Sequence, residues 1–73
     1  MTVQVETYSG FKADERPLRF NLGERWLGVE EVLDRWYDPH ATYFRVRAED
    51  SYLYILRHQK STDVWTLEAL RRA

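Results

Sequence analysis

Apolar and polar side chains alternate with period two over most of the chain. In residues 2–8, Val3, Val5 and Thr7 alternate with Gln4, Glu6 and Tyr8, the pattern of a half-buried strand. Ser9-Gly10 breaks it, and residues 11–16 (FKADER) form a polar connection with Phe11 as a candidate anchor. Pro17 suits the start of a strand rather than the interior of a central one. Leu18, Phe20 and Leu22 then mark the inward face of a second strand, with Arg19 and Asn21 outward. Asp38-Pro39-His40-Ala41 is a loop by composition. Residues 42–48 carry the cleanest alternation, with Phe44, Val46 and Ala48 on one face and Tyr43, Arg45 and Arg47 on the other. Residues 52–58 (YLYILRH) form the return strand, apolar on both faces as suits a central or doubly covered strand. After a turn over 59–63, residues 64–67 (VWTL) make the last strand, with Trp65 and Leu67 inward, and residues 68–73 read as a frayed tail.

Residues 24–37 (ERWLGVEEVLDRWY) hold two of the three tryptophans and admit two readings. As a helix, Trp26, Val29, Val32, Leu33, Trp36 and Tyr37 fall within one arc at about 100° per residue. Asn21-x-x-Glu24 would serve as its capping box and Pro39 as its stop. As a strand, Leu27, Val29, Leu33 and Tyr37 share one face, and Trp26, Val32 and Trp36 the other. That pattern is clean only with a β-bulge near Glu30-Glu31. The window alone favours the helix. Its context favours the strand, because a hairpin with its turn at or next to Gly23 leads into it, and Gly28 costs a helix roughly 1 kcal/mol against Ala.

The loop joining the two clearest strands decides what the outer surface carries. A two-residue loop would put Leu53 and Ile55 in the core. A three-residue loop over Glu49-Asp50-Ser51, closed by a bulge, puts Tyr54 and Leu56 there and leaves Leu53, Ile55 and Arg57 beside Arg45 and Arg47. The three-residue form is expected, with Ser51 at the position that prefers glycine.

At 73 residues the chain makes one domain, with a core over about residues 2–67. A domain of this size buries only about 60% of its unfolded surface. Three Trp, five Tyr and three Phe supply the bulk that such a core needs. There is no cysteine, hence no disulfide and no thiolate chemistry. No leader or membrane-spanning run is present in the sequence, so a cytoplasmic protein is expected. The formal charge of −1 removes the global argument for nucleic-acid binding. The cations are nine Arg against two Lys, a bias that suits stacking and forked hydrogen bonds.

Several blocks carry a resemblance. Pro17-Leu18-Arg19-Phe20, Gly23-x-x-Trp26, VEEVLDRW over 29–36, YFRVRA over 43–48 and YILRH over 54–58 resemble a family of small bacterial proteins of unknown function. A similar module closes ImuB-like relatives of Y-family DNA polymerases. The resemblance covers about residues 16–67 and implies a role accessory to DNA repair or translesion synthesis, with no catalytic or binding residues to carry over. Those relatives carry glycine where this chain has Ser51, a departure that bears on the turn geometry, and their tolerance of proline near position 28 counts against a central helix.

No phosphate loop, nucleophile signature or spaced Cys/His set is present, so no enzyme, metal or cofactor is expected. Asp38-x-His40 and His58 with Asp63 could be imagined as metal ligands, but both read better as solvated loop and strand-end groups. Glu30-Glu31 beside Asp34 could be a catalytic carboxylate pair, but a solvated strand face or bulge explains it better. One surface remains: Tyr43, Arg45 and Arg47 in a row, with Arg35, Trp36 and Tyr37 adjacent and Arg57 or Tyr52 across the hairpin. Aromatics interleaved with arginine hold single strands of nucleic acid and also make protein hot spots. The plainer reading pairs Arg45 and Arg47 with Glu30, Glu31 and Glu49 as an ordinary charged face. The expected fold is an all-β antiparallel meander of five or six strands curled into a small SH3-like barrel. The expected function is a non-enzymatic module, monomer or weak dimer, that binds a protein partner, with weak single-strand nucleic-acid binding as the alternative.

Overall fold

The computed structural model describes residues 1–8 and 16–72. The Ser9-Gly10 break, the connection over 11–15 with its candidate anchor Phe11, and Ala73 lie outside the described residues. Six strands follow in order: β1 (Thr2–Tyr8), β2 (Arg16–Leu22), β3 (Arg25–Tyr37), β4 (Ala41–Ala48), β5 (Leu53–Gln59) and β6 (Val64–Arg71). They form an antiparallel meander that closes into a barrel as β6 returns to β1. The closing seam is short. It consists of Thr2 opposite Thr66, Val3 opposite Trp65, and the Leu67 N–H donated to the Met1 carbonyl at 2.7 Å.

The central stretch is a strand along its whole length, because it serves two neighbours in turn. Its first residues, 25–28, pair with β2, and residues 29–37 pair with β4. Gly28 marks the handover. Its N–H is held by the Glu49 carboxylate at 2.9 Å, and its carbonyl accepts the Glu49 N–H at 2.9 Å. Two skipped residues shift the pleat of β3, Glu30 as expected and Leu33 in addition. Leu27, Val29 and Val32 consequently point inward, while Leu33 is 36% exposed rather than sharing the face of Leu27.

A third skipped residue corrects β2. Glu6 pairs with Arg19 and Thr7 with Pro17, so Leu18 bulges between them. Pro17 and Phe20 are buried, and Leu18, expected inward, is 44% exposed. Proline has no N–H to offer the ladder, which suits it to the place where the register breaks. A fourth skip, at Glu68, carries β6 past the point where fraying was expected: Ala69 pairs with Ile55 and Arg71 with Leu53.

The turns follow their residues. Gly23 adopts φ +68° in the two-residue β2–β3 loop, the geometry of a turn that requires glycine first. Between β4 and β5, the Ala48 N–H meets the Tyr52 carbonyl at 3.0 Å and the Ser51 N–H meets the Ala48 carbonyl at 2.9 Å. Those bonds enclose the three-residue loop expected from the sequence, with Ser51 at φ 71°. Replacing Ser51 with glycine relieves a left-handed L-residue and is expected to stabilise by about 1 kcal/mol. Thermal unfolding would show this as a Tm roughly 4–8 °C higher.

The core comprises Val3, Phe20, Leu27, Phe44, Val46, Ala48, Tyr54, Leu56 and Trp65. Phe20 meets Tyr54 edge to face at 4.9 Å, and the Tyr54 hydroxyl reaches out to Asp50 at 2.5 Å. Burial and that carboxylate together push the Tyr54 phenol well above its ordinary range. No helix among the described residues is long and apolar enough to cross a membrane.

Candidate interaction face

The hairpin registers lay out three rows across the outer surface of β3, β4, β5 and β6, because directly opposed residues of paired strands share a face. The first row is Trp36, Tyr43, Arg57 and Thr66, the second Asp34, Arg45, Ile55 and Ala69, the third Glu31, Arg47, Leu53 and Arg71.

The first row is a stack. The Trp36 and Tyr43 rings lie parallel, 3° apart in tilt, at 5.4 Å. The Arg57 guanidinium lies 5.9 Å from the Tyr43 ring centre, and its Nε donates to the Tyr43 hydroxyl at 3.3 Å. The Tyr43 hydroxyl in turn serves Asp38, whose Oδ1 also accepts the His40 and Ala41 N–H groups, each at 2.7 Å. These bonds, the one from His40 foremost, hold the Asp38 carboxyl below its usual range. The β3–β4 loop thus fixes the outer end of the stack, and Trp36 remains 38% exposed.

The other two rows are charged pairs. Arg47 reaches Glu31 at 2.8 Å and Glu30 at 3.7 Å, and Arg45 reaches Asp34 at 4.0 Å. At this exposure each pair contributes under about 1 kcal/mol, but together they neutralise much of the arginine charge. Glu49, expected among those partners, holds the Gly28 N–H instead.

Five of the seven expected site residues therefore share one face: Trp36, Tyr43, Arg45, Arg47 and Arg57. Arg35 and Tyr37 do not. The Leu33 bulge sets Arg35 opposite Phe44 on the inner side of the sheet, its guanidinium 5.1 Å from the Phe44 ring centre. Tyr37 follows opposite the buried Thr42 at the open end of the barrel, with Lys60 Nζ 6.0 Å from its ring centre. Arg71 joins the face unannounced, because only the Glu68 bulge brings the end of the chain back into register.

A second arginine–aromatic stack lies on the outer side of β1, β2 and β3. The Arg19 guanidinium sits 4.7 Å from the Trp26 ring centre and grips both Glu6 oxygens, at 2.8 and 2.7 Å. The Arg19 hydrogen bonds hold the Glu6 carboxyl below its ordinary value. This arginine is committed on both sides and offers little to a ligand. Of the two candidate metal pairs, Asp38 caps a loop, and the His58 Nε2 meets Asp63 at 2.8 Å beneath Trp65. Among the described residues no three potential ligands gather. Compared with known proteins, the chain matches no family model, no curated protein and no solved structure.

Proposed function

We propose that the protein is a non-enzymatic interaction module that binds a protein partner through the outer face of β3, β4 and β5. The observation that carries this reading is the Trp36–Tyr43–Arg57 stack, held in place by Asp38 yet left on the surface instead of in the core. Exposed, preordered aromatic and arginine side chains are the residues that dominate protein interfaces. Arg45 and Arg47 extend the face and, through their pairs with Asp34, Glu31 and Glu30, set its charge pattern. The resemblance to the closing module of ImuB-like polymerase relatives is the ground for seeking that partner among DNA-repair or translesion-synthesis proteins of the cytoplasm. Free monomer or weak dimer is the expected state.

The rival is weak single-stranded nucleic-acid binding, favoured by the same stack and opposed by the carboxylates interleaved with the arginines and by the net charge of −1. An amide-shift NMR titration with a mixed-sequence single-stranded oligonucleotide separates the two. At physiological salt we expect no saturable shifts. Saturable shifts confined to Trp36, Tyr43, Arg45, Arg47 and Arg57, fading steeply as salt rises, would transfer the face to nucleic acid.

A further inference from the structure

We propose that the outer face of β4, β5 and β6 docks an acidic amphipathic segment of the partner protein, with its apolar side chains on Leu53 and Ile55 and its carboxylates on Arg57 and Arg71. This names the partner's chemistry and rests on the protein-binding reading above.

The register builds the site. Ile55 lies between Arg45 on β4 and Ala69 on β6, and Leu53 lies between Arg47 and Arg71. Arg57 shares their face, two residues along β5 from Ile55. Two half-buried branched aliphatics thus share a face with four arginines, of which Arg45 and Arg47 reach across to the β3 carboxylates. Core-facing neighbours Tyr54 and Leu56 are buried on the opposite side, so Leu53 and Ile55 are surplus to the barrel's own core.

The charges on this surface are sorted. Glu30, Glu31 and Asp34 all belong to β3, on the far side of β4. Glu68 is the carboxylate of β6, and the Thr66 hydroxyl donates to it at 3.0 Å. Arg57 lowers the Asp38 carboxyl through space but makes no ion pair among the described residues; its nitrogens go to the Tyr43 hydroxyl and to Gln59 at 3.5 Å. Arg71 has no ion pair among the described residues. Arg57 and Arg71 therefore keep positive charge beside the Leu53–Ile55 pair, while Arg45 and Arg47 are already paired with β3, and the complement is a segment with apolar residues bracketed by carboxylates. Neighbouring side chains on a helix face lie about 5–6 Å apart, close to the roughly 4.5–5.5 Å between opposed residues of paired strands, so such a helix matches the rows. A phosphate strand matches less well. Branched aliphatics give bases no ring to stack on, and the β3 carboxylates border the aromatic side of the face.

The test is isothermal titration of the whole protein, at about 0.15 M salt, with three synthetic probes. These are a peptide of leucine and glutamate in helical alternation, the same composition scrambled, and poly-glutamate. The patterned peptide is expected to bind, with the two controls at least about tenfold weaker. Ile55→Thr and Arg57→Gln are each expected to weaken the patterned peptide by about tenfold, the scale of a hot-spot residue. Arg19→Gln, on the outer face of β2, is expected to change nothing, and circular dichroism confirms that each variant is folded. Equal binding of poly-glutamate or the scrambled peptide, wild-type affinity in the Ile55 and Arg57 variants, or no binding of the patterned peptide would each overturn the proposal. If that peptide fails while photocrosslinking from the same face still captures protein, the acidic class is wrong and the protein-binding face stands. If both fail, both readings fall.

Discussion

Phe20→Ala is expected to bring the barrel to the edge of unfolding. Phe20 is fully buried, and its ring closes on Tyr54 at 4.9 Å. It is also the residue on which the Leu18 bulge turns, since the skip lets Pro17 and Phe20 both point inward. Truncating a buried phenylalanine costs about 3–5 kcal/mol, against a total of about 5–15 kcal/mol for a protein domain. Urea unfolding should therefore show the midpoint falling sharply with an unchanged slope. A loss below about 1 kcal/mol, the scale of a surface substitution, would mean that Phe20 is not at the centre of the core.

Trp65→Ala should have an effect of similar size but a different character. Trp65 stacks on His58 at 4.3 Å and on Phe44 at 5.5 Å, and its backbone faces Val3 across the seam. The seam has only two residue pairs and the Leu67–Met1 hydrogen bond to hold it. Removing the indole is expected to cost about 3–5 kcal/mol and to release β1 before the rest. Hydrogen exchange checks this directly: the amides of Val3 and Leu67 should exchange far faster in the variant, while those of Phe44 and Val46 keep most of their protection. Uniform acceleration throughout the barrel would show that the seam is not a separate weak point.

Most of the strands were legible because alternation is a direct record of which side faces the core. The β4–β5 hairpin was legible in its favoured three-residue loop. A three-residue loop implies a left-handed third residue, and from that parity Tyr54 and Leu56 go in while Leu53, Ile55 and Arg57 go out. The bulges were the limit. Skipping one residue costs little and flips every later side chain. At Leu18 and Leu33 the skipped residue is itself apolar, so either parity yields a plausible strand. Glu30 could be anticipated because two adjacent glutamates interrupt an apolar face. Arg35 shows the consequence: counted from Trp36 and Tyr37 it looks like one cluster, but a bulge at Leu33 sends it to the inner side of the sheet. Arg71 shows the converse, a residue of an unremarkable tail placed on the face by a skip at Glu68. The charge pairing of Arg45 and Arg47 with β3 was anticipated as one alternative, and the β3–β4 register realised it.

The same registers decide what kind of surface this is. The aromatic stack and the paired arginines lie on strands whose other faces form the core, so the backbone that carries them is held in place by core packing, a rigidity that lowers the cost of binding. That rigidity makes site-directed photocrosslinking in cell lysate the most direct measurement of the central claim. A photoreactive phenylalanine analogue is placed at Tyr43 or Ile55, and as a control at the exposed Gln4 of β1. The protein-binding account predicts adducts of discrete mass from positions 43 and 55, sensitive to protease and resistant to nuclease, and none from position 4. Adducts that nuclease removes, or adducts formed equally from both sides of the barrel, would contradict it.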